Sequence, residues 1–303
     1  MIVINLLNKE LFLQVMAAYD GLKKPEDPVI NPDLYEDIYQ EIQGSDGWVV
    51  YEENWHGFVV LLRSEEGLLL SPYFFGSIPM VEEGYEVLMD VLMEEVLLKF
   101  EEINCQRLYT VIKEQADSYI KGDFLGRYGI EFDYEYVEMQ LILEASSADI
   151  AVPEEVEVKQ VSHYPKESLK KCFDQAFASS DVKYYFNLSN EGRANFFDQV
   201  SLPGVMEHPC SLALENNGLL VGYAFIMTYH GQPYITSMCI SEDYRGRGLG
   251  RYLINRISQE AIRQGYKTVS LGTELQMKAY SLYQSHGFKP VSSKRYYLRM
   301  KDG

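Results

Sequence analysis

SMCISEDYRGRGLGRYLINRISQEAIRQG, residues 237–265, holds three local patterns in succession. Its first residues close an apolar run that reads as a strand ending at Ile240. Its last residues place Leu249, Leu253, Ile257 and Ala261 on one face of a helix that Gly265 stops. Between them lies Tyr244-Arg245-Gly246-Arg247-Gly248-Leu249-Gly250. A helix N-terminus offers unpaired N–H groups and a partial positive charge, and glycines let an anion come close to the backbone. Arg245, Arg247 and Arg251 add positive charge, so the junction suits a pyrophosphate. It is not a Walker A loop, because no Gly-Lys-Ser/Thr follows, and Arg251 stands where a dinucleotide fingerprint has its third glycine. An RGG-type RNA segment would be disordered and repeated, whereas this one occurs once, inside a strand–helix junction.

Upstream, Asn217-Gly218 between apolar runs is a two-residue hairpin signal, and a second turn is expected at 231–233. Three antiparallel strands follow from this, near 210–214, 219–229 and 234–240. Before them come a strand at 156–162, a helix at 166–178 with apolar residues at helical spacing, and a helix at 191–200 with Ser189 and Asn190 as cap candidates. After the helix at 249–264 come a strand (KTVSLG), a helix at 276–285 and a closing strand (YYLRMK). This is a mixed α/β order with one central sheet.

The first half repeats it: MIVINLL, helices at 9–22 and 32–42, strands GWVVYEE, GFVVLLRS and GLLLSPYF, a helix at 84–102, strand RLYTVI, a helix at 115–128 and strand YVEMQLIL. Matching Gly129 to Gly287 aligns the junctions YGIEF and HGFKP, so an internal duplication is the economical reading. EASSADIAVPEE, residues 144–155, has no apolar periodicity and marks the boundary between domains 1–145 and 153–303.

Length and composition agree with two ordinary globular domains: 303 residues, 47% hydrophobic and 24% charged. The N-terminus lacks a basic region and a small-residue cleavage site, and no run reaches the 18 or so apolar residues of a membrane span. The four cysteines, Cys105, Cys172, Cys210 and Cys239, suggest neither a zinc site nor a disulfide framework, so no metal and a reducing, cytoplasmic setting are expected. Residues 1–150 hold 9 Lys+Arg against 30 Asp+Glu and the rest 18 against 15, about −21 and +3. Nucleic acid and anionic membranes are repelled by such a first half, whereas a cationic substrate is attracted.

The loop and a second motif together resemble the GNAT superfamily of acyl-CoA N-acyltransferases. Arg245, Gly248 and Gly250 match its Arg/Gln-x-x-Gly-x-Gly/Ala pyrophosphate loop. Ile240-Ser241-Glu242-Asp243-Tyr244 is similar to the usual lead-in, with Glu242 where Pro is common. Ala279-Tyr280-Ser281-Leu282-Tyr283, then Gly287-Phe288, match the Ala-x-x-Leu-Tyr-x-x-x-Gly-Phe segment. The resemblance covers the second half and implies two tandem GNAT-like domains, the first degenerate and the second catalytic.

It further implies that acetyl-CoA is the co-substrate, its pyrophosphate held by the main chain of Arg245, Gly246, Arg247, Gly248, Leu249, Gly250 and Arg251. The main chain of Met238, Cys239 and Ile240 would pair with the pantetheine arm, and Tyr283 would donate a proton to the departing thiolate. Gln276 stands where the family often has a cofactor-contacting Asn. The acceptor would be a primary amine of a small molecule or peptide. Candidates for removing its proton are Glu274, just after KTVSLG, with His230 and Glu215 in flanking turns; Cys239 reads as a core residue rather than a nucleophile. The first half has GSIPMVEE in place of the loop, and Leu125 aligns with Tyr283, so it should not bind CoA in the usual way. A noncatalytic acyl-CoA sensor or interaction protein is the alternative function. Two fused copies would reproduce a dimer contact within one chain, so a monomer is favoured over a homodimer.

Overall fold

A computed structural model describes residues 3–22, 32–52, 55–63, 67–76, 82–103, 105–113, 122–144, 156–178, 180 and 182–301. The expected boundary segment therefore lies almost wholly outside the described residues, as does the first half of the helix expected at 115–128. The chain forms two compact units, Met1–Asp133 with Arg295–Gly303, and Tyr134–Lys294. They do not coincide with the sequence domains 1–145 and 153–303.

Unit 1 runs β1 (Val3–Leu6), α1 (Lys9–Leu22), α2 (Pro32–Ile42), β2 (Asp46–Glu52), β3 (Trp55–Arg63), β4 (Leu68–Gly76), α3 (Glu82–Glu102), β5 (Arg107–Lys113) and α4 (Gly122–Gly126). The end of β12 (Lys289–Met300) completes its sheet, in the order β1-β2-β3-β4-β5-β12. Unit 2 takes most of β6 (Glu131–Ile142), then β7 (Val156–Gln160), α5 (Lys166–Ala178), α6 (Lys183–Asn187), α7 (Asn190–Val200), α8 (Pro203–Met206), β8 (Leu212–Asn216), β9 (Leu219–Tyr229), β10 (Gln232–Ile240), α9 (Leu249–Arg263), β11 (Thr268–Glu274) and α10 (Lys278–Ser285). Its order is β7-β8-β9-β10-β11-β6. Among the described residues each order contains a parallel pair, β4 with β5 and β10 with β11, flanked by antiparallel neighbours.

The two orders are the same, and in each the sixth strand comes from the other half of the sequence. From Tyr136 to Ile142, β6 pairs antiparallel with β11. In unit 1, Lys301 donates its backbone N–H to Gln106 (2.9 Å), and its ammonium meets the carbonyls of Phe100, Glu101 and Ile103 at the end of α3. A cation there satisfies orphan carbonyls and opposes the negative end of the helix dipole.

Alternation along the strands feeds a core on each side of the unit 2 sheet. On one side Ala224, Ile226 and Ile235 pack with Leu249, Leu253, Ile257 and Ala261 of α9; on the other Tyr223, Phe225 and Cys239 pack with Leu169, Phe173 and Ala176 of α5 and Phe197 of α7. Unit 1 is built alike, with Phe12, Tyr35 and Val60 in one core and Leu92, Val96, Phe100 and Leu61 in the other. Each Leu, Ile, Val or Phe among these contributes about 1.5–3 kcal/mol on burial.

Local signals act as read. Ser189 caps α7 by accepting from the Gly192 amide (2.9 Å), and Asn217 and Gly218 take φ of 49° and 79° in the β8–β9 hairpin. The second turn sits at His230-Gly231, not 231–233, because Gln232 already pairs with Tyr229. The short helices α6 and α8 have no counterpart in the sequence reading. Both helix-to-strand junctions close with the same bond, Ile130 N–H to Leu125 O (3.2 Å) and Phe288 N–H to Tyr283 O (3.1 Å).

Candidate functional site

The parallel strands β10 and β11 form a fork. They are paired at Tyr234–Ser270 and Ile235–Leu271. There β10 shifts register against β9, between Ile235 and Ser237. Among the described residues no further pairs join them, although β10 continues to Ile240 and β11 to Glu274. Ser237 to Ile240 remain paired to β9 on their other side, so the edge of β10 that faces the fork can accept an extended chain bearing amides.

At the mouth of the fork the chain turns through Ser241–Gly248 into α9. Gly246 and Gly248 have φ of 74° and 80°. A Cβ at either meets nothing within 4 Å, so the left-handed backbone, not lack of room, calls for glycine here. That backbone ends at the first turn of α9, whose N–H groups have no partner within the helix. At Gly250 the room is short instead, since a Cβ there would press on the Leu282 side chain of α10 at 3.2 Å.

The arginines divide the work. Arg245, although exposed like the other two, is tethered by its bonds: its Nε donates to Ile240 O (3.2 Å) and its Nη2 to Ala176 O (2.7 Å), fastening the loop to β10 and the end of α5. Arg247 and Arg251 are exposed and bond neutral groups, the Asp243 carbonyl (2.8 Å) and the Ser285 hydroxyl (3.5 Å). Their charge stays available to an anion, and Arg247 also lies 5.0 Å from the Tyr244 ring. Amides, glycines and the guanidinium groups of Arg247 and Arg251 at one helix start fit a pyrophosphate.

Tyr283 is buried on α10 against Phe288. Burial pushes its phenol well above the usual range, with the Cys239 thiol and the Tyr136 phenol adding to the effect. It is therefore a protonated donor near neutral pH. Met238 and Ile240 join the α9-side core, and Cys239 the opposite one; burial pushes the Cys239 thiol up to about 12.

Glu274 is 1% exposed and engaged on several sides. It accepts from the backbone N–H of Lys183 (3.0 Å) and Tyr184 (2.7 Å) and from Gln276 Nε2 (2.9 Å), so it anchors the start of α6. Gln276 is thereby turned toward Glu274. Glu215 is held by Lys159 and by the Tyr164 hydroxyl, which keep its carboxyl below the usual range, and His230 is exposed at its hairpin tip.

A polar cluster beside the fork went unread in the sequence. Tyr136 and Glu138 of β6 stand on one face, opposite Glu274 and Gly272 of β11. A Cβ at Gly272 would overlap the Tyr136 hydroxyl, so the missing side chain lets that phenol lie across β11. It reaches Tyr234 of β10 (O···O 3.4 Å), whose hydroxyl donates to Glu138 (3.0 and 3.3 Å). The strand YVEMQLIL offered only an alternating pattern, and partners about 100 residues away leave no local mark.

Residues 207–290 match the family model described as acetyltransferase (GNAT) domain. Among curated proteins, the chain is 26% identical over 98 residues to the [ribosomal protein bS18]-alanine N-acetyltransferase of Escherichia coli K12, a stretch covering 32% of this chain and 66% of that protein, just under two thirds. Among solved structures, a GCN5-related N-acetyltransferase from Sphaerobacter thermophilus superposes with a TM-score of 0.62 at 15% identity, covering 99% of this chain and 95% of that one. A tandem GNAT protein from the clavulanic acid biosynthesis pathway gives 0.54 at 12% identity over 100% and 99%. At such identities these superpositions establish the mixed α/β fold. Among the described residues no helix is long and apolar enough to cross a membrane. The chain thus carries, at residues 207–290, a GNAT acetyltransferase domain.

Proposed function

We propose that unit 2 transfers an acetyl group from acetyl-CoA to a primary amine of a small molecule or peptide. The observation that carries this reading is the fork of β10 and β11 ending in a glycine-bent loop at the start of α9. The main chain from Arg245 to Arg251 holds the pyrophosphate, and the free edge of β10 at Met238–Ile240 holds the pantetheine arm as an added strand. Bound there, acetyl-CoA supplies an activated acyl carbon. Tyr283, buried and protonated, is the donor to the leaving sulfur. Glu274 keeps α6 in place beside the fork, and Gln276 supports it. The E. coli relative's action on an alanine of a ribosomal protein makes a peptide α-amine a reasonable acceptor, and the acidic first half favours a cationic one. Four free cysteines suit a reducing, cytoplasmic setting. Unit 1 is a degenerate copy that supports the active one, and the chain works as a monomer.

Calorimetric titration of acetyl-CoA into wild type and Gly248→Glu tests the reading. The variant puts a carboxylate where the pyrophosphate would lie, so affinity should fall at least about 100-fold, or roughly 2.8 kcal/mol. Gly248→Ala carries the same backbone strain without the charge and should lose far less. Absence of binding to the wild type would defeat the reading.

A further inference from the structure

We propose that the acceptor amine gives up its proton to Tyr136, which passes it through Tyr234 to Glu138. This rests on the acetyltransferase reading and supplies the proton acceptor that reading lacks.

Direction follows from counting protons. A phenol has one, and Tyr234 gives its own to the Glu138 carboxylate at 3.0 Å. In the 3.4 Å contact between the two phenols, Tyr136 is then the donor. All three groups form one aligned chain, Tyr136 to Tyr234 to Glu138, and the lone pairs of the Tyr136 oxygen are left to accept. The position is suitable. Tyr234 lies one rung before the Ile235–Leu271 pair at which the fork opens, and the Tyr136 hydroxyl lies against Gly272, the first residue of β11 beyond that pair. Tyr136 is close enough to raise the pKa of Tyr283 and to feel Glu274 and Tyr184 in turn. The accepting end of the chain and the proton donor to sulfur thus bracket the crotch of the fork.

Glu138 is suited to receive a proton. Burial pushes its carboxyl above the usual range, an effect moderated by the Tyr234 hydrogen bond and the charge of Lys294. The groups around the chain are Tyr234 on β10, Lys294 on β12, the bare Gly272 and Glu274 on β11, Tyr184 on α6, and Tyr229, whose ring is 5.8 Å from that of Tyr234.

The step balances without a further reactant. The amine lone pair forms the C–N bond to the acyl carbon, and the C–S bond pair leaves with sulfur. The N–H proton moves to Tyr136 as the Tyr136 proton moves to Tyr234 and that of Tyr234 to Glu138. Sulfur takes the Tyr283 proton, and between turnovers water removes the proton from Glu138 and returns one to Tyr283, so the net products are the amide and the free thiol. Tyr136 is the residue that touches the amine; Tyr234 and Glu138 act through it.

Glu138→Gln and Tyr136→Phe are compared with wild type, using acetyl-CoA with an alanyl hexapeptide, spermidine or glucosamine. Each variant should lose about 100-fold or more in kcat at unchanged acetyl-CoA affinity, and Glu138→Gln should lose the acidic limb of the rate profile. A second readout needs no turnover. In the free protein, the side-chain carboxyl NMR signal that vanishes in Glu138→Gln should titrate above the ordinary glutamate value of about 4.3, and Tyr234→Phe should raise it further by removing the donor. A wild type that transfers acetyl while both variants stay within about threefold of it overturns the relay and leaves the acetyltransferase reading standing. So does a Glu138 signal in the ordinary range that ignores Tyr234→Phe. A wild type that binds no acetyl-CoA takes down both.

Discussion

Unit 1 and unit 2 have one topology and different chemistry. In each, a helix joins the two strands of the parallel pair, α3 between β4 and β5 and α9 between β10 and β11, and pairing of β4 with β5 runs over only three positions, Leu68–Leu108 to Leu70–Thr110. At that last position unit 1 adds a hydroxyl bond, from Thr110 Oγ1 to Leu70 O (2.9 Å). Where unit 2 has Arg-x-x-Gly-x-Gly before α9, unit 1 has GSIPMVEE, with α3 starting at Glu82. Where unit 2 has Tyr283, unit 1 has Leu125, buried in its core beside Phe124. The strand order is thus common property. On the proposed reading, a few positions decide whether it carries a site.

The largest effects test that asymmetry directly. Acetyl-CoA should bind with one equivalent per chain, and two equivalents would break the comparison. Tyr283→Phe removes only the hydroxyl and keeps the ring against Phe288, so kcat should fall about 100-fold or more while acetyl-CoA affinity and thermal midpoint stay put. Because burial raises the Tyr283 phenol above its usual value, the group stays protonated as pH rises, and it should give the wild type no alkaline limb below about pH 10. An alkaline limb near pH 8 that vanishes in Tyr283→Phe would mean that the phenol is solvated rather than buried.

Most of this asymmetry could be read in the sequence, because it lies in short stretches. The α5 helix is marked by Leu169, Cys172, Phe173, Ala176 and Phe177 and α9 by Leu249, Leu253, Ile257 and Ala261; all are buried except Phe177, which is partly buried. The loop glycines announce their backbone. What escaped was whatever depends on distant partners. Nothing in the alternation of β6 says that it pairs with β11, in the other half of the sequence, so the exchange of final strands was invisible and so was the Tyr136–Tyr234–Glu138 cluster. Helix α6, five residues long, has too few turns for a periodic signal and is fixed by a carboxylate 90 residues away. Glu274 read as a proton acceptor because its place beside the fork was legible, whereas the amides that occupy it were not.

That anchoring offers a smaller effect, confined to unit 2. In Glu274→Gln one carboxylate oxygen becomes an NH₂, which must face the amide N–H of Lys183 or Tyr184, donor against donor. Leaving a buried donor unpaired costs about 1–3 kcal/mol. For a unit of this size that lowers the thermal midpoint by roughly 2–10 °C. Glu274→Gln should show this shift and keep acetyl-CoA affinity, since the loop before α9 is untouched. A variant as stable as wild type but inactive would instead give Glu274 a direct part in proton transfer.

The smallest expected effect is none at all, and it separates the units by reactivity. Cys239 lies on the strand proposed to hold the pantetheine arm, yet it is 2% exposed and its thiol is pushed up to about 12 by burial. At pH 8 a thiol with that pKa is ionised in about one molecule in ten thousand, and the thiolate is the form that alkylates. Cys210 is fully buried and pushed up to about 11, and burial raises Cys172 as well. Cys105 of unit 1 is only partly buried. Iodoacetamide at pH 8 should therefore mark Cys105 first, as peptide mass mapping would show, and leave acetyl transfer unchanged. Rapid labelling of Cys239 accompanied by loss of transfer would mean that the fork opens far more widely than its packing allows, and would return a nucleophilic cysteine to consideration.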